Sequence, residues 1–116
     1  MEYPLREKSY AFALRIIKLY KYLVAEHKEF VLSKQALRSG TAIGALISEA
    51  KFGQSTADFI SKMNIALKEA NEKDYWLSLL KDSDYIDEKL HKSLHKDVNE
   101  LISMLVSTVK TLKSKK

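Results

Sequence analysis

Apolar side chains recur every three or four positions along most of the chain, the spacing that gathers them on one face of an α-helix. In the first stretch the repeat consists of Leu5, Phe12, Ile16, Leu19, Tyr20, Leu23 and Val24. The most regular repeat, near the C-terminus, consists of Leu90, Leu94, Val98, Leu101, Leu105, Val109 and Leu112. Together with two stretches between them, these repeats predict helices at residues 5–26, 31–52, 55–81 and 87–112.

Short polar segments separate the four helical stretches. Residues 27–29 form a polar connector, and Gly53 is a natural stop for the second helix. Ser55 and Asp58 have the spacing of a capping box at the start of the third helix, and Asp87 can cap the fourth. Such short connectors force consecutive helices to run antiparallel. The sequence therefore predicts a single all-α domain, an antiparallel up-down-up-down four-helix bundle.

Composition narrows the possible functions. The 116 residues include no cysteine, so disulfides, thiolate zinc sites and cysteine nucleophiles are excluded. The longest uncharged run, residues 39–48, is far shorter than the roughly 20 residues that cross a bilayer. We therefore expect a cytoplasmic protein that does not associate with a membrane.

Charge is distributed unevenly along the chain, whose net charge is +5. Residues 1–53 carry nine basic and five acidic side chains, residues 54–88 carry four and eight, and residues 89–116 carry seven and two. One interpretation is attraction between neighbouring helices together with ordinary solvated faces, which charge alone favours. The other is a surface that binds a polyanion.

Cations and an aromatic ring share one stripe of the first helix. With 100° per residue, Lys8, Arg15, Lys18 and Tyr22 fall within about 80° of arc. A stripe of this kind can hold phosphates and stack a base, or it can be a solvated face with an amphipathic tyrosine. The full set of candidate nucleic-acid contacts is Lys8, Arg15, Lys18, Tyr22, Lys34 and Arg38.

Small residues recur at four-residue intervals in the second helix, at Ala36, Gly40, Gly44 and Ser48. A glycine inside a helix costs about 1 kcal/mol relative to alanine, so two glycines indicate close approach of another backbone. We interpret this small-residue stripe as a packing surface within or between subunits. It is not a phosphate loop, because no lysine follows at the required spacing.

Charged and aromatic side chains interrupt the apolar pattern of the third helix. Glu69 and Glu72 share a face with Trp76. The favoured interpretation is a structural polar network in which Arg38 pairs with one of these carboxylates, because a buried charge needs a partner. The alternative is an acid-base pair.

No cofactor or metal site is expected. Glu88 and His91 have the spacing of a carboxylate-bridged metal motif, with His95 one turn further on, but a di-iron bundle needs two such pairs. The histidines show no recognisable triad spacing with a serine. We therefore predict that the protein is not an enzyme.

Three segments resemble one bacterial family. They are KSYAFALRIIKLYKYL in the first helix, LSKQALRSGTAIGALISEA at 32–50 and STADFISKMNIALKEANEKDYWLSLL at 55–80. The family consists of four-helix bundle proteins named for a protein encoded in intervening sequences of 23S ribosomal RNA genes. Two positions depart from its pattern, Ala42 where the family often has serine and Leu46 where it often has asparagine.

The resemblance implies ring-shaped pentamers. A related branch is similar to the accessory protein of diversity-generating retroelements, a basic ring implicated in binding nucleic acid and a reverse transcriptase. We accordingly expect a homo-oligomer, suspected to be a pentamer, with Tyr20 and Phe52 among its subunit contacts. The leading function is binding of structured RNA or a nucleoprotein, and the alternative is a structural assembly or protein-protein adaptor.

Overall fold

Four α-helices make up the computed structural model, which describes residues 2–50 and 55–114. They are α1 (Glu2–His27), α2 (Leu32–Ala50), α3 (Thr56–Asp82) and α4 (Glu88–Ser114), and the described residues include no strand. The predicted four-helix all-α fold is confirmed. The expected stop at Gly53 lies outside the described residues, as does Phe52.

Contacts between neighbouring helices show how the bundle is arranged. Gly40 of α2 lies against Ile16 of α1, and Gly44, one turn later on α2, lies beside Ser9, which comes earlier on α1. The two helices therefore run antiparallel. The molecule measures 49 × 22 × 19 Å. Helices α1 and α4 meet less closely than the other neighbouring pairs, which leaves a groove between them.

The apolar repeats of all four helices meet in one core. Its fully buried apolar side chains include Phe12, Ile16, Leu23, Ile43, Ile47, Met63, Leu77, Leu80, Leu94 and Leu101. In the leucine-rich repeat of α4 the central members are buried, whereas Leu90 and Leu112 are only partly buried. None of the described helices is long and apolar enough to span a membrane.

An acidic side chain from the connector caps α2. The Glu29 carboxylate accepts hydrogen bonds from the backbone amides of Val31, Leu32 and Ser33 at 3.3, 3.1 and 2.7 Å. Burial tends to raise the pKa of Glu29, but the amide hydrogen bonds outweigh it and lower that pKa below its usual value. The carboxylate thus satisfies amides that would otherwise lack partners at the helix start.

The two caps expected from the sequence are both present. Ser55 Oγ accepts a hydrogen bond from the Asp58 amide at 3.1 Å at the start of α3. Asp87 Oδ1 accepts one from the Leu90 amide at 2.7 Å at the start of α4.

The small-residue stripe of α2 runs from the core to the surface. Ala36 and Gly40 are buried, and a Cβ atom at Gly40 would lie 2.9 Å from Ile16 Cγ2. At Gly44 the nearest atom to such a Cβ, the Ser9 carbonyl oxygen, is 3.6 Å away, and Ser48 is exposed. Within this chain, close packing is therefore confined to the Ala36 and Gly40 end of the stripe.

A lysine lies in the core between α2 and α3. The Lys73 side chain is completely buried, and its Nζ donates a hydrogen bond to the Ala36 carbonyl oxygen at 3.0 Å. Burial lowers the pKa of Lys73 to about 7, because a charged ammonium loses its hydration there.

Candidate nucleic-acid interface

Two of the candidate cations on α1 are paired with carboxylates of α4. Lys8 forms an ion pair with Glu100. Arg15 lies 2.7 Å from Asp97 and also donates a hydrogen bond to Ser93 at 3.1 Å. Arg15 therefore lies on the side of α1 that faces α4, where Asp97 already pairs with its guanidinium.

Lys18 and Tyr22, the other two members of the α1 stripe, border the groove between α1 and α4. Lys18 is exposed, and no described carboxylate lies within ion-pair distance of it. The walls of the groove here are the apolar side chains of Leu19, Leu90 and Leu94. This part of the groove therefore combines apolar walls with an unpaired cation at its rim.

Three aromatic rings stand where the groove reaches the end of the bundle. Tyr22 and His27 meet edge to face with ring centroids 5.3 Å apart, and His27 meets Tyr85 in the same way at 5.6 Å. The Tyr22 hydroxyl lies 3.1 Å from His27 Nε2. Asp84 and Asp87 line the same end, and Tyr22 and Leu90 also line the part that Lys18 borders. The two depressions therefore adjoin, and we call them together the α1–α4 groove.

Three lysines on the exposed side of α4 form a cationic row. Lys89, Lys92 and Lys96 are exposed and line one shallow depression on the outer side of the helix. Among the described residues, none of the three is within ion-pair distance of a carboxylate. The sequence prediction did not single them out, although the basic excess of residues 89–116 was the signal that could have done so.

The two candidates on α2 lie apart from the groove. Lys34 is exposed. Arg38 Nη2 lies 2.6 Å from a carboxylate oxygen of Glu72, and Arg38 Nη1 lies 3.4 Å from both carboxylate oxygens of Glu69. The structure thus brings together the three members of the expected polar network. With two carboxylates around it, Arg38 is a poor phosphate ligand.

One histidine of α4 forms hydrogen bonds with α3 and with its own helix, and the other stacks on it. His95 Nδ1 lies 2.6 Å from Asp74, and Asn99 Nδ2 lies 3.0 Å from His95 Nε2. The His91 ring stacks on His95 with centroids 5.8 Å apart, and burial, aided by the Lys81 charge, lowers the pKa of His91. No set of three or more potential ligands in the described ranges could hold a metal ion.

Comparison with known proteins agrees with the fold. The family model described as 23S rRNA-intervening sequence protein matches residues 2–107. The chain belongs to this family. The resemblance seen in the sequence is thus confirmed.

A solved structure from the same group extends the comparison to three dimensions. It is the crystal structure of a protein with unknown function from the S23 ribosomal protein family of Bacteroides thetaiotaomicron. The two chains are 54% identical, the match covers 94% of this family member and 97% of the other chain, and the TM-score is 0.93. No protein with a curated description matches this chain. The comparisons therefore establish family and fold, while neither description assigns a function.

Proposed function

We propose that this family member is a non-enzymatic, homo-oligomeric bundle that binds structured RNA or a nucleoprotein through the face formed by α1 and α4. The observation that carries the proposal is the cationic row of Lys89, Lys92 and Lys96, whose ammonium groups have no described ion-pair partner. Lys18 adds a fourth such charge across the groove. Lysines in a row that form no ion pair favour a phosphate backbone, because each contact releases a counterion.

The aromatic rings of the α1–α4 groove favour RNA over a simple anion. Proteins that bind single-stranded nucleic acid combine a positively charged groove with rings on which bases stack. Tyr22 and Tyr85 supply such rings in the α1–α4 groove. The family's name connects related proteins with 23S rRNA intervening sequences, which agrees with this choice. The proposal places the protein in the cytoplasm, together with its RNA.

Exposed apolar side chains support the homo-oligomer and also a second candidate function. Tyr10 and Leu14 on α1 are 68% and 52% exposed, and Val31 in the following connector is 72% exposed. Large apolar side chains in such positions favour contacts with other protein surfaces. They support assembly into a ring, suspected from the resemblance to contain five subunits, with half-buried Tyr20 as a candidate contact. The same side chains would serve a structural adaptor without nucleic-acid binding.

Two matched double variants distinguish these functions. Lys92→Gln with Lys96→Gln removes two charges from the cationic row, and Lys34→Gln with Lys68→Gln removes two exposed charges from α2 and α3. We expect the first pair to weaken RNA binding several-fold more than the second at one fixed salt concentration, as measured by fluorescence anisotropy. Equal losses would mean that only net charge matters, and absence of binding would leave the adaptor function.

A further inference from the structure

We infer that the aromatic end of the α1–α4 groove holds one unpaired base of the bound RNA. The site consists of Tyr22, His27 and Tyr85, with Asp84 at its edge. This inference rests on the proposed function and specifies which part of the RNA the groove recognises.

The ring geometry leaves room for stacking. Tyr22 and His27 are inclined at 70° to each other, and His27 and Tyr85 at 88°. None of these pairs is stacked face to face, so His27 covers at most one face of the Tyr22 ring. Tyr22 is 46% exposed, which makes its ring accessible from the groove.

Charge determines the direction in which a nucleotide lies in the groove. Asp84 and Asp87 are at the aromatic end and repel a phosphate, whereas Lys18 attracts one. Lys18 lies four residues from Tyr22 on the same helix, about 6 Å along its axis. That separation is similar to the distance between a base and the phosphate of the same nucleotide. The groove therefore favours a base at the Tyr85 end and its phosphate at the Lys18 end.

The carboxylate at the edge of the site also limits the choice of base. Asp87 already accepts the Leu90 amide, but no hydrogen bond to the Asp84 side chain is present among the described residues. An ionised carboxylate only accepts hydrogen bonds. It therefore favours bases that present N–H donors on the edge normally used for pairing. In a duplex those donors are occupied, so the groove selects an unpaired base.

The test compares two RNAs that carry the same number of phosphates, a hairpin with a large loop and a fully paired duplex. With anisotropy at fixed salt, the wild-type protein is expected to bind the hairpin about tenfold more tightly, the size of one stacked base. Tyr22→Leu and Tyr85→Leu should abolish most of this preference and leave duplex affinity unchanged. Tyr85→Phe, which retains the ring, should retain the preference.

Tyr75→Leu is the matched control, because Tyr75 is 59% exposed and its ring meets Trp76 instead of the groove. A 2-aminopurine in the loop should be quenched by wild type and by this control, but not by Tyr22→Leu. If RNA binds without preference for the loop, or if Tyr22→Leu behaves like Tyr75→Leu, the base site is refuted while the proposed function stands. If neither RNA binds at low salt, both are refuted.

Discussion

Gly40 and Gly44 lie one turn apart on α2 but have different surroundings. A methyl group at Gly40 would lie 2.9 Å from Ile16, whereas at Gly44 it would have ordinary contacts with Ser9 at 3.6 Å. We expect Gly40→Ala to lower the free energy of unfolding by about 1 to 3 kcal/mol through overpacking. Gly44→Ala should raise it by up to about 1 kcal/mol, since alanine favours the helix. Urea denaturation of both variants would show the contrast, and equal effects would contradict the packing described for α2.

Lys73 makes stability depend on pH. Its pKa is about 7 in the folded protein and its ordinary value is 10.5, so between these values the unfolded chain binds more protons. The free energy of unfolding should therefore rise with pH across this window, by about 1.4 kcal/mol per unit at most, and show no further loss from this group below pH 7. Lys73→Met should remove the dependence and stabilise the protein at neutral pH. Urea denaturation at pH 7, 8 and 9 tests this, and parallel curves for both proteins would refute it.

At the scale of the helices, α1 has an outer face that the rest of the subunit leaves uncovered. Leu14 is 52% exposed on that face, and Val106 is 43% exposed on α4. If α1 forms the subunit contact, Leu14→Glu should reduce the mass measured by light scattering at micromolar concentration, because it places a charge in an apolar interface. Val106→Glu should leave that mass unchanged. A monomeric wild-type protein would refute the proposed assembly.

The sequence predicts the positions of the helices better than the contacts between their charged side chains. Periodicity places each apolar repeat on one face, and the capping residues Ser55 and Asp87 indicate where α3 and α4 begin. It does not determine which neighbour a charged side chain meets, and so Arg15 is a candidate phosphate contact by sequence although it pairs with Asp97 in the structure. For Arg38 the sequence indicates a pair with Glu69 or Glu72, and in the structure the guanidinium contacts both.

Other features depend on tertiary structure in ways that the pattern does not encode. Glutamate is not a preferred helix cap, so the cap formed by Glu29 follows only from the path of the connector. Lys73 is predicted to be exposed by residue type, yet the packing of α2 on α3 buries it. The aromatic end of the groove combines α1 with the turn before α4, and Tyr85 therefore escaped the sequence prediction.

For the whole molecule, the uneven charge distribution has two consequences. Attraction between helices accounts for the positive charges of Lys8 and Arg15, which form ion pairs with carboxylates of α4. It also accounts for the charge of Arg38, which pairs with a carboxylate of α3. It does not account for Lys18 or for the cationic row on α4, none of which forms an ion pair with a described carboxylate. The interpretation favoured by charge alone thus explains part of the basic excess, and Lys18 and the cationic row are among the charges that it leaves without an ion pair.

The most direct test of the account is the salt dependence of RNA affinity, measured by anisotropy for wild type and for the Lys92→Gln and Lys96→Gln double variant. Each phosphate contact contributes a slope of about −0.7 on single strands in a plot of log affinity against log salt. A ring that repeats the cationic row should give a slope of several units, and the double variant should give a clearly shallower one. No binding at low salt, or an identical slope for the two proteins, would contradict the claim that the cationic row on α4 binds RNA.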